Sequence, residues 1–383
     1  EADCWTPWQS VLDESAAPFY KWFTGGQTNA CFNLVDRHLL LGRADKTAII
    51  FEGDRWDPSK NNGRGGPVTE QHFSYRKVFE EIIARVQVLR DLGLTKGDRI
   101  AFNLPNIPEQ IFYMLAAQRM GVVYTPVFGG FSAKTLSDRI HDAGAKLVIT
   151  ADGGYRNAEV VGYKGTYADP ALDNYIPRET ALATLKAVLA TYDLGDLADT
   201  LYSDVHNALA GEITLERSDV MRELGASLAS QNAIAPELTA ELRTAVARQL
   251  ADAKHNVENV IVVEYTGQEV VEHARDNWSN DLVASAKATI AKHLGVTDFG
   301  ALSSEEPAAL WAKLNAVLPV ESVDSNFPLF IIYTSGSTGK PKGVVHTHGS
   351  WLSGVSHTMR TVFNATEDDT LYVIGDPGWI TGQ

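Results

Sequence analysis

The sequence predicts an α/β protein with mostly parallel sheets flanked by helices, interrupted by an α-helical insertion. Two observations lead to this prediction. Short, nearly all-apolar segments alternate with amphipathic helical segments from Phe73 onward, as in a parallel sheet covered on both faces. The alternation stops after Lys164 and returns at Val257. We therefore divide the chain into a first α/β segment at residues 1–164, a helical insertion at 165–255 and a continuation of the α/β domain at 256–383.

The first α/β segment contains three helices and three strands in alternation. Residues 74–93 predict an amphipathic helix whose buried face carries Val78, Phe79, Ile82, Val86 and Leu89. A second helix at residues 107–121 has Pro108 in its first turn and Gly121 at its end, the usual positions of these residues. The third helix is predicted at residues 133–144, and the strands at 98–104, 122–127 and 146–151.

The remaining elements separate a helical middle from a second α/β segment. Helical spacing of alanine and leucine predicts helices at residues 179–192, 196–211 and 235–253. Apolar runs then predict strands at 257–265, 328–334, 343–348 and 370–375, with helices near 282–294, 305–318 and 350–363. Such a helical insertion is more often a lid or a docking surface than a catalytic unit.

Composition narrows the class of protein. Hydrophobic residues make up 44% of the 383 residues, as in a globular protein, and the net charge of −15 argues against a nucleic-acid partner. Cys4 and Cys31 lack metal or disulfide spacing and predict free thiols. The sequence contains neither a signal-peptide pattern nor an apolar stretch of about 18 residues, so we predict a cytoplasmic protein without membrane contact. The start at Glu1 and the stop within "DPGWITGQ" predict a fragment.

The segment "YTSGSTGKPKG" (333–343) predicts a phosphate-binding loop between two strands. It is not a Walker A loop, because its glycines are too close together and Pro341 disfavours a helix at Lys340. Glycines that permit close backbone approach, hydroxyl groups and lysines nevertheless suit an anion nest. A flexible solvent-exposed loop is the alternative, which the position between two strands disfavours. The candidate phosphate-binding residues are Thr334, Ser335, Gly336, Ser337, Thr338, Gly339, Lys340 and Lys342.

This loop resembles the signature of the AMP-forming adenylating enzymes, and other segments resemble their acetyl-/propionyl-CoA synthetase group. These segments are residues 20–39, "VFGGFSAKTLSDRIHDAGAKLVITADGGYR" (127–156) and "DPGWITGQ" (376–383). The resemblance covers about residues 20–163 and 257–383, and the helical stretch between them departs from it. It implies that the chain forms the first part of the large N-terminal domain of that fold. The long insertion also resembles, more weakly, the ligase module of a multifunctional propionyl-CoA synthase.

The resemblance implies roles for particular residues. Lys342 and Thr338 would act in catalysis as members of the loop that grips the ATP phosphates. An acyl pocket would be lined by Trp379, Ile380 and Thr381, and CoA would be bound by Gly129, Gly130, Ser132 and Arg156. The family often carries a second arginine where this chain has Glu159, which puts the pose of CoA in question. Without a ligand role, Trp379 would be a core residue and Arg156 a surface cation.

The implied reaction is activation of acetate, propionate or 3-hydroxypropionate by ATP to an acyl-adenylate, followed by transfer to CoA. ATP, Mg²⁺ and CoA would take part, and NADP only if a reductase module is fused to the chain. The family's magnesium-binding Glu, ribose-binding Asp and C-terminal catalytic Lys would lie beyond Gln383. His346 and His348 lack a third ligand, so we predict no metal site. Further modules of the same polypeptide and a homo-oligomer stay open, as do two other functions: an adenylation domain that loads a carrier protein, and a truncated non-catalytic scaffold.

Overall fold

A seven-stranded sheet forms the centre of the computed structural model, which describes residues 5–156, 159–231, 234–253, 255, 257–334 and 341–383. The strands run in the order β5–β4–β3–β1–β2–β6–β7, and all neighbours are parallel except β6 and β7. The fold class predicted from the sequence is confirmed. The strands are β1 (Arg99–Asn103), β2 (Val123–Pro126), β3 (Leu147–Ala151), β4 (Asn259–Val263), β5 (Asp276–Trp278), β6 (Pro328–Thr334) and β7 (Lys342–Thr347).

Helices cover both faces of this sheet. The longer ones are α1 (Tyr75–Asp91), α2 (Pro108–Met120), α3 (Ala133–Ala143), α4 (Arg178–Leu189), α5 (Asp196–Ala208), α6 (Arg217–Ser230), α7 (Pro236–Ala251), α8 (Ser279–Leu294), α9 (Pro307–Val317) and α10 (His348–Thr361). Short helical turns occur at Phe32–Asp36, Arg37–Leu40, Lys60–Gly63, Lys164–Ala168, Asp169–Asp173, Phe299–Ser304 and Ile380–Gly382. None of the described helices is long and apolar enough to cross a membrane.

Alternate residues of each central strand enter different hydrophobic cores. Phe102 of β1 and Ile149 of β3 pack with α1, α2 and α8, whereas Ala101 and Val148 pack with α3 and the turn Asp169–Asp173. This period of two follows from the pleat, which points successive side chains to opposite faces. Both cores need apolar residues, so apolar side chains predominate on both faces of the central strands. The helix positions predicted to face the core, Val78, Phe79, Ile82, Val86 and Leu89, are all buried.

The helical insertion has a hydrophobic core of its own. Apolar side chains of α4 to α7, from Ile176 to Ala253, form a cluster separate from the two cores on the sheet. Polar contacts connect it to α3: Asp138 accepts hydrogen bonds from the amide (3.0 Å) and hydroxyl (2.5 Å) of Thr214, and His141 lies 2.5 Å from Glu179. The insertion therefore packs as a small helical unit that contacts α3 of the α/β part through hydrogen bonds and an ion pair.

The N-terminal segment is bound to the α/β part by buried polar groups. Asp36 and Arg119, both fully buried, form an ion pair, and the Trp311 indole also donates to Asp36 (2.9 Å). Small antiparallel strand pairs surround this region or lie on the periphery: Ser10–Asp13 with Lys21–Thr24, Gln27–Thr28 with Val323–Asp324, Thr47–Glu52 with Glu70–Ser74, Trp56–Asp57 with Gly66–Pro67, Gly154–Arg156 with Glu159–Val161, and Tyr175–Pro177 with Thr214–Glu216.

The strand predicted at residues 370–375 is wrong. These residues have no regular secondary structure, and Leu371, Tyr372, Val373 and Ile374 are exposed. A β-strand needs a neighbour to satisfy its backbone N–H and C=O groups, and no described strand pairs with this segment. The apolar pattern of residues 370–375 was therefore not enough to predict a strand.

Candidate active site at the carboxyl edge of the sheet

The predicted site segments follow the carboxyl ends of neighbouring parallel strands. Val127 and Phe128 come directly after β2, Asp152 directly after β3, and the phosphate-binding loop directly after β6. Since β2, β3 and β6 run in the same direction, these turns meet at one edge of the sheet. Ligands of open parallel sheets bind at this edge.

The phosphate-binding loop connects two paired strands. Thr334 ends β6 and lies directly opposite Lys342, the first residue of β7; both are exposed. The predicted strand–loop–strand arrangement is confirmed, and the two strands are antiparallel. The loop residues Ser335, Gly336, Ser337, Thr338, Gly339 and Lys340 lie outside the described residues, so their predicted roles stay predictions.

The glycine turn after β2 is closely packed. A Cβ on Gly129 would lie closer than 3.0 Å to the Tyr163 ring, and one on Gly130 would meet the Phe128 ring and, at 3.0 Å, Nη1 of Arg156. The two glycines are thus required by packing, whatever ligand binds there. Ser132 begins α3, where its hydroxyl accepts a hydrogen bond from the Thr135 amide (3.3 Å). This is the helix-capping role that serine commonly has.

Arg156 reaches the glycine turn from the segment that follows β3, two strands away from β2 in the sheet. Its side chain is exposed, and its guanidinium lies 5.9 Å from the centre of the Phe128 ring. Glu159 is the residue directly opposite Arg156 in the short strand pair. A carboxylate therefore occupies the position beside the arginine where a second cation would favour a phosphate.

The segment 376–383 folds against the same turn. A Cβ on Gly378 would lie closer than 3.0 Å to the backbone of Phe128. The Trp379 ring is 6.1 Å from Phe128 and 6.3 Å from Phe131, although half of Trp379 and of Ile380 is exposed. Burial raises the pKa of Asp376, whose carboxylate accepts the Gly378 amide (2.6 Å). The predicted acyl-pocket residues and the predicted CoA turn are therefore neighbours; the side chain of Thr381 lies outside what the structure describes.

Asp152 is a site residue that the sequence argument missed. Its buried carboxylate accepts hydrogen bonds from the amides of Gly153 (2.6 Å), Tyr265 (2.9 Å), Thr266 (3.1 Å), Gly267 (2.6 Å) and Gln268 (3.1 Å). It joins the turn after β4 to the turn that carries Arg156. Phe128, Phe131 and Tyr163 were missed as well. The aromatic residues that flank Gly129 and Gly130 in "VFGGF" were the available signal.

The histidines near the loop are structural. Nδ1 of His348 accepts the Ala30 amide (3.0 Å), and burial, with a smaller contribution from Lys96, lowers its pKa to about 3. His346 stacks on Phe330 with 4.6 Å between ring centres, and burial lowers its pKa. Both rings therefore have contacts within the protein: Nδ1 of His348 accepts a backbone amide, and the His346 ring packs on Phe330.

One cluster in the described part of the chain has the side chains of a cation site: Asp169, Asp173 and His273. Arg275 and Lys164 already neutralise these carboxylates, at 2.7 Å from Asp173 and 2.8 Å from Asp169. Lys164 also pairs with Asp276 of β5, so the cluster lies at the opposite edge of the sheet from β6 and β7. It does not fit a magnesium site for the phosphate loop, and we assign no step to Mg²⁺.

A groove of about 880 Å³ lies between the strand Thr47–Glu52, the start of α2 and the segment 366–377. Arg43 and Glu367 form an ion pair across it (2.7 Å). Its wall contains the exposed apolar residues 371–374, and neither the glycine turn nor Arg156 lines it. We therefore place the candidate site at the turns described above rather than in this groove.

A parallel sheet with a glycine turn after β2 and the segment 335–340 following its neighbour β6 agrees with the resemblance to the adenylate-forming enzymes. Accordingly, residues 40–383 match the family model described as AMP-binding enzyme, and the chain belongs to this family. Residues 2–34 match a second model, described as the acetyl-coenzyme A synthetase N-terminus.

Curated relatives agree with these matches. The chain is 32% identical over 381 residues to an acetyl-coenzyme A synthetase of Mycobacterium tuberculosis (strain CDC 1551 / Oshkosh), covering 99% of this chain and 40% of that protein. It is 33% identical to the enzyme of that name from Mycolicibacterium smegmatis (99% and 28% covered) and 31% identical to that of Pyrobaculum arsenaticum (100% and 41% covered). The chain thus spans about two fifths or less of the length of these relatives.

Proposed function

We propose that this chain belongs to a ligase that activates a short carboxylic acid with ATP and transfers the acyl group to CoA, releasing AMP and pyrophosphate. The observation that carries the proposal is the convergence of three features at the carboxyl edge: the end of β6 at Thr334, the Gly129–Ser132 turn with Arg156, and the Trp379 segment. Phosphate, CoA and acyl groups would need such neighbouring sites.

The first half-reaction forms the acyl-adenylate. A carboxylate oxygen bonds to the α-phosphorus of ATP while the bond to the bridging oxygen breaks, and pyrophosphate leaves. The negative charge of the attacking carboxylate ends on the departing pyrophosphate, so the protein contributes mainly position and positive charge. Lys342, exposed beside Thr334 at the mouth of the loop, is suited to neutralise the departing pyrophosphate. Thr338 and the other loop residues would supply hydroxyl and amide donors.

The second half-reaction transfers the acyl group. The CoA sulfur bonds to the acyl carbon, AMP leaves with the electron pair of the broken bond, and the thiol proton passes to solvent. Arg156 is the candidate contact for a phosphate of CoA because guanidinium pairs with phosphate in a bidentate manner. Trp379 and Ile380 form an apolar wall that suits a small acyl group, and the neighbouring Phe128 and Phe131 extend it.

The acid is acetate, propionate or 3-hydroxypropionate in this proposal, and the insertion keeps a multifunctional propionyl-CoA synthase as a candidate setting. Two other functions compete: loading of a carrier protein and a non-catalytic scaffold. Carboxylate-dependent exchange between pyrophosphate and ATP, measured with each acid on the complete polypeptide, separates them. Exchange followed by acyl-CoA formation supports the ligase. The ligase proposal would be overturned if a thioester forms on a carrier protein but never on CoA. It would also be overturned if none of the three acids supports exchange.

The role of Lys342 has its own test. In the complete polypeptide, Lys342→Ala is expected to slow adenylate formation at least tenfold and to change thioester formation from supplied acyl-adenylate less than twofold, since only the first step involves pyrophosphate. Lys292→Ala, an exposed lysine on α8, is the matched control and is expected to leave both steps unchanged. Equal losses in both half-reactions would contradict the assignment.

A further inference from the structure

Tyr333 is held by groups on both sides at the entrance of the phosphate-binding loop. It lies one residue before Thr334, is buried, and donates its hydroxyl hydrogen to Oδ2 of Asp142 on α3 (2.6 Å). On the strand side it is paired with Gly343 of β7, where an added Cβ would lie 3.3 Å from the tyrosine ring. The tyrosine therefore joins α3 to both strands that border the loop.

Arg139 contacts the same tyrosine from one turn earlier on α3. Its guanidinium lies 5.5 Å from the centre of the Tyr333 ring and 4.1 Å from that of Phe131. The side chain is 5% exposed, and its Nε and Nη1 have no hydrogen-bond partner in the part of the chain that the structure describes. Burial lowers its pKa to about 10, so it is still a cation at neutral pH. Burying a cation with unpaired N–H groups costs free energy, and the faces of Phe131 and Tyr333 offset part of this cost.

The start of α3 connects this contact with the rest of the site. Ser132, which caps α3, follows the Gly129–Gly130 turn, and Phe131 packs against Trp379. One rigid helix therefore carries the proposed CoA turn at its first residues and the two contacts to Tyr333 at its last turns. Its outer face is gripped by the insertion through Asp138 and Thr214.

We infer that Arg139 and Asp142 are positioning residues for the phosphate-binding loop, acting through Tyr333. The inference rests on the proposed function, because it assumes that the loop after Thr334 binds the phosphates of ATP. Asp142 holds the tyrosine hydroxyl and Arg139 packs on the face of its ring. Together they hold the end of β6, from which the loop begins, in one position. They do not touch ATP in this inference; they set where the loop begins.

The test uses Tyr333→Phe, Asp142→Ala and the double variant of the complete polypeptide; alanine removes the acceptor, which asparagine would retain as an amide oxygen. A hydroxyl-to-carboxylate hydrogen bond that holds the loop is expected to be worth about tenfold in the KM for ATP in the exchange assay. The double variant is expected to lose no more than either single variant, because both remove the same bond. The KM for CoA, measured with supplied acyl-adenylate, is expected to change less than twofold.

Two further variants sharpen the test. Tyr175→Phe removes an equivalent hydroxyl-to-carboxylate bond, to Glu216 (3.2 Å) in the insertion, and is expected to leave the KM for ATP unchanged. Arg139→Lys keeps the charge but loses the planar stacking on Phe131, and is expected to raise the KM for ATP several-fold.

Each outcome decides the inference. A KM for ATP within twofold of the wild type in folded Tyr333→Phe and Asp142→Ala would overturn it, as would additive losses in the double variant. A lower unfolding temperature with unchanged KM would reduce the contact to a purely structural one and also overturn it. Calorimetric binding of ATP separates this inference from the proposed function. If the wild type binds ATP but exchanges no pyrophosphate, the proposed function fails while the same variants, compared by Kd, still decide the inference; a wild type that binds no ATP would refute both.

Discussion

The buried histidine at the start of α10 makes stability depend on pH in a way that can be isolated. His348 is 1% exposed and accepts the Ala30 amide at Nδ1, so the ring must be neutral in the folded protein. The folded-state pKa is about 3, against an ordinary value of 6.5. Between these values the unfolded chain binds the proton and the folded chain does not. Stability is therefore complete above about pH 6.5 and falls as the pH drops toward 3.

The magnitude follows from the same two pKa values. Each pH unit inside the window is worth about 1.4 kcal/mol, so the contribution lost between pH 6.5 and pH 5 is about 2 kcal/mol. Replacing His348 by Asn keeps an acceptor near the position of Nδ1 and removes the titration. We expect the wild type to lose about 2 kcal/mol more unfolding free energy than His348→Asn when the pH is lowered from 7 to 5.

Urea titrations of both proteins at pH 7 and pH 5 measure this difference. Partly buried histidines with a lowered pKa, such as His38 and His255, titrate in both proteins, and their contributions cancel in the comparison. His357→Asn, the same substitution at an exposed position of α10, is the control and is expected to keep the wild-type dependence on pH. An identical loss in the wild type and His348→Asn would refute the reasoning, because it would mean that the ring is not buried and neutral.

Three further substitutions, measured by urea titration, test the packing of the N-terminal segment, of the turn after β3 and of the insertion. Asp36→Ala leaves Arg119 buried without its partner and is expected to cost about 3–5 kcal/mol, whereas Asp45→Ala, an exposed carboxylate, is expected to cost less than about 0.5 kcal/mol; equal costs would contradict a buried ion pair. Asp152→Asn turns an amide N–H₂ toward the backbone donors and is expected to cost about 1–3 kcal/mol, with faster amide exchange at residues 265–268; unchanged exchange there would argue against its anchoring role. Leu242→Ala is expected to cost the insertion about 2–5 kcal/mol, with faster exchange confined to residues 176–253; uniform loss across the chain would show that the insertion shares the main core.

Some elements could be predicted because their signals are local. Pro108 and Gly121 bound α2 as expected: Pro108 is its first residue, and Gly121 ends it in the left-handed conformation with φ of 67°. Helix α6 was missed, although Glu216 and Asp219 form a capping box at its start, because its apolar residues are diluted by charges. For residues 370–375 the error was the opposite one: a strand was predicted where the structure has none. Their apolar pattern is that of a strand, but pairing depends on a partner that the pattern does not contain.

The candidate site divides in the same way. Gly129, Gly130, Arg156 and Trp379 were selected by motif, which needs only a short stretch of sequence. Their closeness in space could not be predicted from the sequence, since Arg156 and Trp379 are 223 positions apart. Both lie near the Phe128 ring. Asp152 carries no motif, and four of its five backbone donors come from a turn more than a hundred residues later.

By itself, the sequence determined the fold class and most helices and strands, because periodicity and caps act between residues close in the chain; its motifs also resemble those of the adenylate-forming enzymes. Only the tertiary structure decided which strands are neighbours, that the insertion has a separate core, and that α3 connects Tyr333 with the glycine turn. The physical reason is that contacts between distant segments depend on the strand order, and a parallel sheet gathers at one edge whatever follows its strands.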